Sequence, residues 1–176
     1  LDKEFYVVPE AREYFKSKSE GWAKKENEWK ALFAEWVQEN PELAKEWKRF
    51  FAGKPSKKPL MSSYKEGDSL ATRNASGTAL LELSKVYTNL IGGSADLQGP
   101  NCTKLADTTA YSPSSRGGRY IHFGIREFAM AAISNGIALH GGLRPFCATF
   151  LVFADYLRPA LRLSALMRQP VIYVLT

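Results

Sequence analysis

The sequence predicts an α/β fold: a mostly parallel sheet with helices on both faces, preceded by a helical segment. Three observations lead there. Short β-branched or apolar runs recur near residues 90, 121, 146 and 172, with helix-patterned stretches among them, and that alternation makes a parallel sheet. Within Arg119–Met130 the pattern changes abruptly. Tyr120–Phe123 alternates with period two, Gly124 breaks it, and from Arg126 onward the apolar spacing is helical. The first fifty residues differ from all of this, being highly charged and carrying Trp22, Trp29 and Trp36 at seven-residue intervals.

Taken in order, Pro9 to Asn40 reads as one long helix whose tryptophan stripe, with Leu32, Phe33 and Val37 beside it, is expected to bury against something. Pro41 opens a second helix that ends at Gly53. Residues 53–71 hold prolines, lysines, serines and Gly67 with little periodicity, the composition of a linker. A helix follows from about Thr72 to Val86. Arg73 lies in its first turn, where a cation opposes the helix dipole. That placement fits an anion partner and fits equally an exposed arginine with no role.

Leu90 and Ile91 begin a strand that runs into Gly92-Gly93-Ser94-Ala95-Asp96, which is neither a P-loop nor a GxGxxG turn. Asp96 by itself reads as a turn residue. Gly99 to Gly118 is polar and aperiodic, a long loop of the kind tied to sites. After the strand at 120–123, the helix from Arg126 is apolar nearly all round, which predicts burial on every side. Its only acid, Glu127, sits in the first turn at the carboxyl end of a strand, the rim where open α/β sheets bind ligands. A dipole-complementing acid is the alternative for that position. Arg144–Thr149 is another strand. Phe150, Phe153 and Tyr156 then gather on one side of a short helix, an arrangement that serves a core as readily as a cofactor. Pro159 is expected to kink or restart that helix, which ends near Met167 with Arg162 on its surface. Val171–Thr176 is the last strand. His122 and His140 read as structural histidines.

The chain has 176 residues, 45% of them hydrophobic and 24% charged, within ordinary globular usage. No apolar run nears the roughly 20 residues that cross a bilayer. The net charge of +6 comes from a shortage of acids after residue 60, and the arginines there are scattered. That pattern suits small anionic substrates and argues against nucleic acid. Cys102 and Cys147 match no metal spacing, so the expected setting is reducing and cytoplasmic. The first residue is not Met, which suggests a fragment or processed chain.

The stretch Gly118-Arg-Tyr-Ile-His-Phe-Gly-Ile-Arg-Glu-Phe-Ala-Met130 resembles the pyrimidine-binding signature of transketolases. Leu90-Ile-Gly-Gly-Ser-Ala-Asp96 upstream and Thr149-Phe-Leu-Val-Phe-Ala-Asp-Tyr156 downstream support it, in family order and spacing. The resemblance covers about Thr72 to Thr176 and extends more loosely to the amino terminus. It implies three parts: residues 1–52 as the helical tail of a preceding diphosphate-binding domain, 53–71 as linker, and 72–176 as a pyrimidine-binding domain truncated at its carboxyl end.

The resemblance also implies an enzyme, a transferase of two-carbon ketol units between sugar phosphates in the pentose phosphate pathway. It would use thiamine diphosphate and Mg2+ or another divalent cation. By the same resemblance Glu127 is the catalytic carboxyl group against the pyrimidine ring. Phe150, Phe153 and Tyr156 form its aromatic pocket, Asp96 lies near the cofactor, and Arg73 contacts substrate phosphate. The cofactor would sit at the interface of a homodimer, its diphosphate and metal held by the domain absent from this chain, so the chain alone is expected to be inactive. Pro100 departs from the family, where many members have a serine that helps bind phosphate. A formaldehyde-accepting relative of the dihydroxyacetone synthase type, and a cofactor-free dimerisation module, are the alternative readings.

Overall fold

A computed structural model describes residues 5–57, 64–105 and 108–176. The chain divides into two units, residues 1–46 and 47–176. The first is dominated by α1 (Pro9–Glu39), opened by a proline at its first position, where a missing N–H costs nothing. The tryptophan stripe is there, but α1 has no buried residue. The rings stack along the helix instead: Trp29 on Phe33 at 5.2 Å and Phe33 on Trp36 at 5.7 Å. Asn40 ends α1 by donating both its backbone N–H and its side-chain amide to Trp36 O. Helix α2 (Pro41–Phe51) runs across the boundary into the second unit. Residues 58–63 of the expected linker lie outside the described residues.

The second unit is a parallel sheet, β1 (Leu90–Ser94), β2 (Arg144–Thr149) and β3 (Ile172–Leu175), in the order β1-β2-β3. Three helices accompany it: α3 (Thr72–Val86), α4 (Glu127–His140) and α5 (Ala154–Leu166). Alternation along the strands sends successive side chains to opposite faces. Phe146 and Ile172 meet Leu80 of α3 on one side. Cys147, Tyr173 and Leu175 meet Met130 and Ala131 of α4 and Leu157 and Ala160 of α5 on the other. Helices on both faces follow from that division. Where α4 meets α5, Asn135 donates to Ala160 O at 2.8 Å.

Three local expectations are corrected. Tyr120–Phe123 is not a strand but an extended segment bridged to β1 at Gly92 alone. Gly92 N–H donates to Arg119 O, and Ile121 N–H donates to Gly92 O. The next rung is taken by a side chain, since Ser94 N–H donates to the Tyr120 hydroxyl at 3.1 Å. Helix α4 is buried on one side only. Phe128 is 53% exposed, and Ile133, Leu139, Ala132 and Gly136 are exposed with it, because the described residues of the chain cover just the opposite face. Pro159 does not restart α5, which continues through it to Leu166.

Candidate active site

The carboxyl edge of the sheet carries the site. At Gly124 the chain turns with φ +67°, and a Cβ there would stand 2.5 Å from the Arg126 guanidinium, so glycine serves both the turn and the approach. That guanidinium donates back to Phe123 O at 2.9 Å, which fastens the turn. Arg126 then takes the N-cap position without a side-chain cap. Glu127 is therefore the first helical residue, with its carboxylate beside the positive end of α4.

Glu127 is only 8% exposed, yet among the described residues its carboxylate accepts no hydrogen bond and joins no ion pair. A carboxyl group at the rim of so apolar a cleft has hydrogen-bonding capacity left unmet, and a polar partner in the cleft would satisfy it. Glu127 faces an open cleft of about 450 Å³ shared with Ala95, Asp96 and Leu97 after β1, Ile125, and Phe153 and Tyr156. Asp96 is held with a left-handed backbone, φ +59°, immediately after β1.

The aromatic wall comes from the turn that follows β2. Residues 151–153 form a single 3₁₀ turn before α5, which sets Phe150 and Phe153 6.1 Å apart and Phe153 and Tyr156 6.2 Å apart. Both separations are those of interacting ring pairs. Tyr156 is 65% exposed and forms the outer lip. Of the residues picked from the sequence, Asp96, Glu127, Phe153 and Tyr156 thus meet in one cleft. Phe150 stands outside its lining and backs Phe153.

Arg73 is elsewhere. It borders a depression of about 330 Å³ with Thr72, Ser76 and residues 172–176, and its guanidinium reaches Pro100 O at 3.5 Å. A second, polar cleft of about 380 Å³ adjoins the first at Asp96 and is lined in part by Gln98, Pro100, His122 and Arg126. His122, read from sequence as merely structural, is exposed there with its ring 5.1 Å from Tyr120. Ile125 and Leu97, which the sequence does not single out, line the first cleft as well. Ile125 directly follows the glycine turn and is 79% exposed. Among the described residues no group of three or more His, Cys, Asp or Glu side chains could hold a metal ion, and no helix is long and apolar enough to cross a membrane.

A parallel α/β domain with an unpartnered carboxyl group and an aromatic wall at the carboxyl edge of its sheet has its cleft where open α/β sheets bind ligands. Residues 68–176 match the family described as "Transketolase, pyrimidine binding domain", and the chain belongs to that family. The transketolase of Treponema pallidum is 48% identical over 98% of this chain, and that of Geobacillus stearothermophilus 47% identical over 99%. The chain spans only about a quarter of these relatives, 27% and 26% of their lengths. Among solved structures, the transketolase of Leishmania mexicana superposes with a TM-score of 0.85 at 34% identity, covering 99% of this chain and 26% of that one. A Pichia stipitis transketolase solved with sedoheptulose-7-phosphate superposes at 0.83 with 36% identity, covering 99% and 27%.

Proposed function

We propose that the full-length protein is a thiamine diphosphate-dependent transketolase that moves two-carbon ketol units between sugar phosphates in the pentose phosphate pathway. The reading rests above all on Glu127, a buried carboxylate without a partner, in one cleft with Phe153 and Tyr156. These residues fit the cofactor's pyrimidine ring. A flat ring suits the aromatic wall, and a ring nitrogen supplies the hydrogen-bond partner that Glu127 lacks. When bound, the cofactor would supply the nucleophilic carbon for ketol transfer.

The chain's own residues prepare that step. Glu127 holds a proton at its carboxyl oxygen against the ring nitrogen. Phe153, backed by Phe150, and Tyr156 would shut water from the ring face, and Asp96 would border the ring from the β1 side. Arg73 would contact the substrate phosphate. We assign residues 1–52 to the tail of a diphosphate-binding domain, 53–71 to a linker and 72–176 to the pyrimidine-binding domain. The diphosphate and its divalent cation are held by parts of the protein beyond this chain. A homodimer with the cofactor between subunits accounts for the exposed apolar side of α4, since large apolar patches mark interfaces. The setting proposed is the cytoplasm.

The test is hydrogen–deuterium exchange at C2 of the bound cofactor in the full-length enzyme. Glu127→Gln keeps the shape and a contact to the ring nitrogen but has no acidic proton to share. Exchange should fall by about 100-fold or more, the scale of a positioned acid–base group, while cofactor affinity falls modestly. Equal exchange rates would leave Glu127 as a helix-terminal acid only.

A further inference from the structure

We propose that Asn101 is a positioning residue for this site, tying the loop after β1 to the carboxyl ends of both β1 and β3. Its side chain is 0% exposed. The side-chain carbonyl accepts Thr176 Oγ1 at 2.7 Å, and the amide nitrogen donates to Ser94 Oγ at 3.4 Å. Ser94 is the last residue of β1 and Thr176 directly follows β3, and β2 lies between those strands. One asparagine thus reaches across the middle strand.

The contact belongs to a buried network. Ser94 Oγ and Thr103 Oγ1 are 2.7 Å apart, and Thr103 Oγ1 lies 3.3 Å from the Tyr120 hydroxyl that also receives Ser94 N–H. Backbone bonds fold the loop onto itself: Asn101 N–H to Leu97 O, Cys102 N–H to Gly99 O, Thr103 N–H to Gln98 O. The loop between these anchors contributes Asp96 and Leu97 to the ring cleft and Gln98, Gly99 and Pro100 to the polar cleft. Both flanks carry non-glycine residues in left-handed conformations, Asp96 at φ +59° and Cys102 at φ +53°. Such conformations persist where the surroundings impose them. The network is what imposes them here. Removing one member leaves its buried neighbours unpaired, so the loop gives way at the clefts first.

This rests on the function proposed above, and the experiment separates the two. In the full-length enzyme, Thr176→Val keeps the shape and removes the donor to Asn101, whereas Thr176→Ser keeps the hydroxyl. Titration calorimetry with thiamine diphosphate should show Kd rising about tenfold in the Val variant, the upper range for one net hydrogen bond. The KM of the phosphorylated donor should rise with it, while kcat stays within about twofold, and Thr176→Ser should restore Kd and KM. Unchanged Kd and KM with only a lowered Tm, or a Ser variant as impaired as Val, overturns the positioning role. If the Val variant is insoluble, Ser94→Ala tests the weaker arm: a smaller rise in Kd supports the role, and no rise overturns it. Glu127→Gln is run alongside. Lost C2 exchange in that variant with an unmoved Kd in Thr176→Val removes the positioning role alone, whereas unaffected exchange removes the role proposed for Glu127.

Discussion

Cys147 and Cys102 are chemically alike and physically opposite. Cys147, in the middle of β2, is fully buried, and burial pushes its thiol up to about 12, with a hydrogen bond to Ser134 offsetting only part of the rise. Cys102 is half-buried on a left-handed backbone and donates its thiol to Asn74 Oδ1 at 3.4 Å. Iodoacetamide should label Cys102 in the native protein and reach Cys147 only after denaturation; equal labelling by mass spectrometry would contradict that burial. The sign of the pH effect follows. An unfolded thiol ionises near 9.0 and the folded one near 12, so between those values the unfolded state binds fewer protons and stability falls as pH rises. The contribution is complete below 9.0, and Cys147→Ala should flatten the decline in urea midpoint over the range 9.0 to about 12. Pro100 makes a different prediction. It offers neither a side-chain donor nor an N–H, and its carbonyl is already met by the Arg73 guanidinium. Pro100→Ser in the full-length enzyme should lower KM for phosphorylated donors by on the order of 1 kcal/mol, roughly fivefold. An unchanged KM would show that the loop does not reach the phosphate.

Helix α4 shows how an element is set by its first two residues. The glycine turn at 124 aims the chain, Arg126 pins the turn through Phe123 O, and Glu127 arrives buried at the rim of the cleft. Gly124→Ala should therefore cost about 1–2 kcal/mol for a left-handed residue bearing a side chain. It should also push the Arg126 guanidinium, 2.5 Å from the new Cβ, off its carbonyl. The expected readout is a lower urea midpoint together with weaker cofactor binding. Stability lost with no change in binding would mean that the turn supports the helix without aiming Glu127. At the other end of the sheet, Arg144 stacks on Tyr87 at 4.5 Å and donates to Gly53 O at 3.0 Å, and Ser56 donates twice to Val86 O. Residues 53–56, the start of the proposed linker, are thereby fastened to α3 and β2, far along the chain from either.

For the molecule as a whole, the exposed apolar residues are the dominant fact. Phe128, Ile133 and Leu139 on α4, with Ile125, Leu151, Val152 and Tyr156 beside the cleft, face solvent in this chain. A surface of that kind belongs against another surface. The proposed transketolase also needs groups for diphosphate and cation, and the described residues offer no metal cluster. The chain by itself, supplied with pentose phosphates, thiamine diphosphate and magnesium, should show no ketol transfer. Reproducible turnover that co-purifies with it would overturn the division of labour between this chain and the rest of the protein.

Much of this was legible in the residues, and for local reasons. The bounds of α3 at Thr72–Val86 and of β2 at Arg144–Thr149 agree with the pattern, because periodicity, glycine breaks and proline starts act within a few positions. The place of Glu127 at the head of α4 was legible for the same reason. What the tertiary structure decided depends on which surfaces meet. Tyr120–Phe123 has strand composition, yet its next rung was taken by the Tyr120 hydroxyl, a competition between side chain and backbone that no periodicity records. An apolar pattern all round α4 speaks of burial without naming what does the burying, and the described chain supplies one side only. Phe150 and Phe153 share a spacing but not a cleft, because the 3₁₀ turn rotates one behind the other. Asn101 carries no motif of its own; its reach to Ser94 and Thr176 exists only once three strands lie side by side.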